Sequence, residues 1–400
     1  MLGTLFHRGS TVVTALAIAL TAGTLISIAT PAHEQSALQP RGYTTVIPWH
    51  NFPGGAAPRS TGAAASNTIP LWNYSVTSPV DNNTYTGQMV GRSPFAHGAR
   101  TTNVPAVIVP LIMNMPDGGV FDPTVSHTCS PAGVPLTLLQ QSPILNTFDF
   151  TFNGVDIGSG QYVDDFQRAN FWTDVSVTGD RYHTTLSPVT TLSAITINVP
   201  KGSGQTYNAS TYGGCGKIGV IDYNWFVPYV ENTLIPTTLA GKALPTNFPL
   251  LLMFNVVQAV GSTDISGNCC VLGFHDAIGY PMQTFTPFDF DTSGVFQNVS
   301  DTSVLAHEVG EWMDDPSGGN LTPGWGNVGQ VSGCQNNLEV GDPLSGTPDI
   351  TALMSNGVKY NLQELAFFSW FFRQNPSLGA GGIWSNNGTF GTTSSLQPVC

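Results

Sequence analysis

Apolar and polar positions follow two rhythms along this chain. The slower one marks a helix. Between Val304 and Asp315, Leu305, Val309, Trp312 and Met313 recur at i, i+4, i+7 and i+8, which is one apolar stripe of helical period. Asp301 or Ser303 offers a short oxygen side chain to cap its start. Pro316 stops it, because the residue before a proline is pushed out of the helical region. His307, Glu308, Glu311, Asp314 and Asp315 lie off the stripe. A solvated surface face is the ordinary reading of such residues, but Trp312 and Met313 argue for a helix packed into a core.

The faster rhythm marks strands. Ser193–Val199 alternates with a period of two, as a half-buried strand does. Val104–Met113, Phe248–Val257 and Val271–Phe274 are apolar runs that read as buried strands, the first of them interrupted by Pro105 and Pro110. Trp72–Val76 and Thr84–Val90 are further strand-like pieces. The segment from roughly Gln161 to Trp172 reads as a short helix. Tyr360–Arg373 reads as a second, largely buried helix, capped by Asn361 and ended by Pro376. The expected class is α+β, a strand-rich domain carrying one polar-faced helix and a buried C-terminal helix.

Composition adds a compartment. Thr11–Ile28 is an apolar run behind Arg8, followed by the small residues Thr30-Pro31-Ala32, the pattern of a secretory signal peptide over residues 1–32. An uncleaved anchor is the rival reading. Residues 33–102, with Pro53-Gly54-Gly55 and Gly62–Ser66, read as an N-terminal extension or small β layer, and 103–400 as the main domain. Charged residues are only 9% of the chain, against about 25% in an average soluble protein. A net charge of −13 disfavours nucleic acid and anionic membranes as partners. The six cysteines, 129, 215, 269, 270, 334 and 400, are expected to form disulfides in an exported chain, with Cys269 and Cys270 clamping two different partners. Oligomeric state is not legible.

Candidate chemistry gathers on the Val304–Asp315 helix. His307 and Glu311 are four residues apart and so share one side of it. This is the ligand spacing of the H-E-x-x-H zinc helix with glutamate in place of the second histidine, and Glu308 takes the general-base position. The chain has only six glutamates, 34, 231, 308, 311, 339 and 364, so two of them on one helix turn are conspicuous. Glu339, in Asn337–Pro343, is the expected third ligand; Glu364 competes with it. His275, at the end of an apolar strand, reads as a hydrogen-bonded structural residue or a group orienting ligands or substrate, and Asp342 and Asp315 also as orienting groups. Asp289–Gly294 resembles the front of a calcium loop, but Ser300 stands where the bidentate glutamate belongs, so it reads as a turn with Ca2+ a minor alternative.

His307-Glu308-Val309-Gly310-Glu311 and Glu339-Val340-Gly341-Asp342 together resemble the zincin metallopeptidases, in an H-E-x-x-E variant of secreted proteins. More distantly they are similar to the phosphate-induced, EXORDIUM-like proteins. The resemblance covers roughly residues 301–342. It implies Zn2+ held by His307, Glu311 and Glu339, Glu308 as catalytic base, and a peptide or protein substrate. Asp314 and Ser317 occupy the metzincin glycine and third-ligand positions, which excludes that branch. A site of one histidine and two glutamates is also less positive than one of two histidines and a glutamate, and should acidify water less. The competing expectation is a non-catalytic secreted binding or envelope protein with a structural metal or none. A glycan-acting pair, Glu308 and Asp315, is weaker, since two groups on one helix flank a bond poorly.

Overall fold

The apolar run at 104–113 lies inside the longest described strand, and the rest of the sheet is laid against it. The structure is a computed structural model describing residues 67–96, 100–178, 181–267, 269–326 and 334–391. The signal-peptide and linker readings of residues 1–32 and 53–66 therefore lie outside the described residues. Among those described, no helix is long and apolar enough to cross a membrane.

In chain order, β1 (Leu71–Thr77) and β2 (Thr84–Val90) form an antiparallel hairpin. β3 (Arg100–Asn114) follows, paired at its end with β4 (Val120–Phe121). After α1 (Pro135–Gln140), the hairpin of β5 (Phe148–Phe152) and β6 (Val155–Gly160) leads into α2 (Tyr162–Asn170) and α3 (Trp172–Val175). Then come β7 (Tyr182–Thr191), β8 (Ile195–Asn198), β9 (Gly204–Asn208), β10 (Lys217–Asp222) and α4 (Tyr223–Tyr229), which continues as a π-helical stretch, Val230–Thr238. β11 (Phe248–Phe254), β12 (Val256–Ala259), β13 (Cys269–Val271), β14 (Asp276–Ile278) and β15 (Gln283–Phe290) precede α5 (Ser303–Asp314). Two hairpins, β16 (Leu321–Gly326) with β17 (Cys334–Asn337) and β18 (Ile350–Leu353) with β19 (Lys359–Leu362), end at α6 (Phe368–Phe371).

The class is α+β, as the alternating patterns predict. β3 is the hub of the main sheet, parallel to β11 on one edge and to β7 and then β8 on the other; β15 extends the parallel run beyond β11. Parallel strands covered on both faces read as continuous apolar runs, which is why every residue of β11 is buried. Pro105 coincides with a register shift between β3 and β7, where a residue without an N–H costs least. Side chains of β3 alternate between two cores. Val104, Ala106 and Ile108 enter the core that contains α5; Val107, Val109 and Leu111 enter the one beneath α4. Trp72 and Tyr74 of β1 meet Phe171 and Phe368 edge to face.

Two expectations need correction. Tyr360–Arg373 is not one helix: Tyr360 and Leu362 lie on β19, paired with β18, and only Phe368–Phe371 is helical. An all-round apolar run has no period to choose between states, and here the backbone finds long-range partners. Leu365 N donates to Asn386 Oδ1, Ala366 N to Val340 O, and Phe367 N to Trp384 O. Cys269 and Cys270 are bonded to each other rather than to separate partners; their Cα atoms are 3.0 Å apart across a cis peptide. Cys129 and Cys215 form the other described disulfide, while the Cys334 side chain and Cys400 are outside the described residues. The polar face of α5 is buried with the rest of the helix, in line with the packing that Trp312 and Met313 point to: all twelve of its residues are buried.

Candidate metal centre

α5 is fixed on its apolar side first. Trp312 stacks on Phe248 with ring centroids 3.8 Å apart, and its Nε1 donates to Thr284 Oγ1 at 3.0 Å. Neither candidate cap bonds a free N–H inside the first turn: Ser303 Oγ accepts from Ser300 N, and the Asp301 carboxylate takes the N–H groups of Thr302 and Asn361. With the stripe held against β15, the other face is turned toward three segments. These are the chain after β13, the return loop 338–345, and Gln363.

His307 is oriented by Gln363. Gln363 Nε2 donates to Gly341 O at 2.6 Å, so its Oε1 faces the imidazole and lies 3.0 Å from Nδ1. An amide oxygen only accepts, so Nδ1 carries a proton, and in the neutral ring the Nε2 lone pair faces Glu311 and Asp342. Nε2 lies 3.0 Å from Glu311 Oε1 and 3.7 Å from Asp342 Oδ1. Glu311 Oε1 also accepts the N–H groups of Gly341 and Asp342, each at 3.2 Å. Gln335 Nε2 holds the other oxygen of Asp342 at 3.2 Å, leaving Oδ1 directed at His307. Gly341 is required by this contact: a Cβ there would fall 2.7 Å from both Cγ and Cε1 of His307.

His275 repeats the arrangement from the opposite side. Its Nε2 lies 3.0 Å from the carbonyl oxygen of Asp315. A carbonyl only accepts, so Nε2 carries a proton, and in the neutral ring the Nδ1 lone pair faces Glu308 and Glu311. Nδ1 is 3.6 Å from Glu308 Oε2 and 3.6 Å from Glu311 Oε2, beyond hydrogen-bonding range for both. Neither oxygen of Glu308 has a hydrogen-bond partner, although the residue is 1% exposed. Gly273 admits Glu308 at close range, since a Cβ there would come within 2.7 Å of Oε1. Two sets of donors thus converge, His307–Glu311–Asp342 and His275–Glu308–Glu311, with Glu311 common to both. Separations of 3.0 to 3.7 Å match donors around a small cation, because ligands about 2.0–2.2 Å from a tetrahedral ion stand roughly 3.3–3.6 Å apart.

Electrostatics point the same way. Burial pushes Glu311 up, but the His307 and His275 charges outweigh it and hold the carboxyl at about 2. Burial alone would lower His307; the Glu311 charge beside it raises the imidazole to about 9. His275 is raised well above the usual histidine value against the same desolvation, by Glu339, Glu308 and Glu311. Glu308 is raised by burial, and Glu339 and Asp342 are raised well above the carboxylate range by burial and then by the Glu311 charge. Protons and a divalent cation compete for atoms placed this way.

The expected residues are distributed as follows. His307, Glu308 and Glu311 are in the centre. Glu339 borders it, its Oε1 accepting from Asn337 Nδ2 at 2.8 Å and its Oε2 3.9 Å from His275 Nε2. Asp342 stands third to His307 and Glu311. Glu364 is committed elsewhere, to Ser385 Oγ, the N–H groups of Asn387 and Thr389, and Thr389 Oγ1. Asp315 spends its carboxylate on Gly319 N and Asn320 N, both at 2.9 Å, which removes it from a glycan-acting pair. Asp289 and Asp291 are fully buried, and Asp291 takes Ser293 N and Gly294 N within its own turn. Gln335 and Gln363 were missed; a lone glutamine far from the motif carries no signal of its role.

Comparison with protein-family models, with curated proteins and with solved structures returns no match to this chain.

Proposed function

We propose that this chain is an exported, metal-dependent hydrolase of zincin-like type acting on peptide or protein. His307 and Glu311, with Asp342 or Glu339, hold the metal; the mixed imidazole and carboxylate set suits Zn2+. A divalent cation bound there supplies Lewis acidity, polarising a carbonyl oxygen and acidifying water. Gln363 keeps His307 in the tautomer that presents Nε2. The amides of Gly341 and Asp342 hold Glu311 Oε1 in place. Glu308 takes the proton from the attacking water. The observation that carries this reading is the Glu308 carboxylate: buried, beside both donor sets, and without a hydrogen-bond partner on either oxygen. A buried acid left unsatisfied costs stability, a cost that a general base repays in function.

The test is Glu308→Gln in the full chain, assayed on a generic protein substrate beside a metal determination. Hydrolysis should fall by about a hundredfold or more while cation stays bound. Absence of any bound metal from the wild type, or unchanged hydrolysis in the variant, ends the proposal. A second reading, a non-catalytic binding or envelope protein with a structural cation, draws on the burial itself. Every donor residue is at most 1% exposed, which suits an enclosed structural cation better than a site that receives a polypeptide. Under it, chelation lowers the melting temperature and no hydrolysis is found.

A further inference from the structure

We infer that the centre takes two divalent cations, bridged by the Glu311 carboxylate. One lies among His307 Nε2, Glu311 Oε1 and Asp342 Oδ1, the other among His275 Nδ1, Glu308 Oε2 and Glu311 Oε2. The inference deepens the proposed function and rests on it only for the presence of a cation.

Three observations carry it. The two oxygens of Glu311 face different histidines: Oε1 is 3.0 Å from His307 Nε2, and Oε2 is 3.6 Å from His275 Nδ1. A carboxylate split in this way serves two ions, which in two-metal hydrolytic sites stand about 3.5–4 Å apart. Both imidazoles have their outward nitrogen bound to an oxygen acceptor, so both present a lone pair to carboxylates. For His275, whose Nδ1 is 3.6 Å from an oxygen of Glu308 and 3.6 Å from one of Glu311, a lone pair aimed at two anionic oxygens beyond hydrogen-bonding range is repulsive unless a cation sits between them. Buried acceptor atoms are also left over: both oxygens of Glu308, Oδ1 of Asp342 and Oε2 of Glu339 have no hydrogen-bond partner.

Glu308, Glu311, Glu339 and Asp342 are all buried, and the cationic groups acting on them are His275 and His307. The donors, one imidazole and otherwise oxygens for each ion, suit Zn2+ or Mn2+. Glu308 then gives Oε2 to the second ion and keeps Oε1 for the proton.

The experiment is metal counting on the full chain, stripped with chelator and titrated separately with Zn2+ and Mn2+. The wild type should bind two equivalents. Glu308→Gln and His275→Gln should each bind one, His307→Gln and Asp342→Asn should each bind one, and Glu311→Gln should lose both high-affinity equivalents. Mn2+ electron paramagnetic resonance on the wild type gives a readout that needs no variant: an exchange-coupled pair is expected at two equivalents. A single equivalent that His275→Gln does not alter, with an isolated Mn2+ signal, overturns the two-ion inference and leaves the single-ion hydrolase intact. No bound metal in the wild type overturns both.

Discussion

Gly341→Ala isolates the packing that aims His307. The Gly341 backbone is at φ −84° and ψ −36°, a region open to any L-residue, so alanine brings no conformational penalty of its own. What it brings is a methyl group 2.7 Å from Cγ and Cε1 of His307, and closer still to Nδ1. Ordinary carbon contacts begin near 3.5 Å, so the ring or the loop must move by about 1 Å. Neither gives easily. The ring belongs to a fully buried helix, and the loop is tied by Gly341 N to Glu311 and by Gly341 O to Gln363. Overpacking of this kind costs about 1–3 kcal/mol. The shift also breaks the His307–Gln363 bond, and loss of such an orienting partner typically lowers metal affinity about 10- to 100-fold, or roughly 1.4–2.7 kcal/mol. Competition with a chromophoric chelator measures the affinity, and urea denaturation measures the stability. Gly267→Ala is the control, because a Cβ there meets nothing closer than 3.4 Å. If Gly341→Ala binds metal as tightly as wild type and unfolds at the same urea concentration, the account of how His307 is positioned is wrong.

Trp312→Ala should destabilise the fold by about 3–5 kcal/mol in urea denaturation, through a cavity beside Phe248 and an unpaired Thr284 hydroxyl; Trp312→Phe should cost distinctly less. Equal midpoints for wild type and Trp312→Ala would show that α5 is not anchored by this face. Burial pushes Asp291 up to about 6, and burial and then the Asp291 charge raise Asp289 well above its ordinary value. An acid raised in the folded state binds more protons there than when unfolded, so stability falls as pH climbs from about 4 to about 6, by at most about 3 kcal/mol for Asp291. Asp291→Asn should flatten that part of the pH–stability profile, and parallel profiles for the two proteins would refute the assignment.

What could be read from the chain was what is local. The stripe on α5 and the four-residue step from His307 to Glu311 are properties of a single helix, and both are present. The runs at 104–113 and 248–257 became buried strands because an apolar run of that length has no polar face to keep wet. What could not be read depends on distant segments meeting. Asp342 reaches His307 because Gly341 and Gln335 seat it, and His275 turns its Nδ1 inward because Asp315 O fixes the other nitrogen. The buried run before Phe368 misled for the converse reason: Asn386, Val340 and Trp384 supply its hydrogen bonds from elsewhere in the chain.

The parallel pairing of β3 has a consequence for biosynthesis. Its ladder partners, from Tyr182–His183 opposite Arg100–Thr101 to Phe248–Leu252 opposite Ala106–Pro110, are made long after it. A ribosome therefore releases the sticky segment Val104–Met113 well before anything can cover it, and topologies dominated by such distant pairs fold slowly. Pro105 and Pro110, which have no N–H to donate, leave gaps in the donor row through which that waiting segment would recruit other nascent chains edge to edge. Replacing them with valine should leave the finished molecule close to its present shape yet shift recombinant yield from the soluble fraction into inclusion bodies.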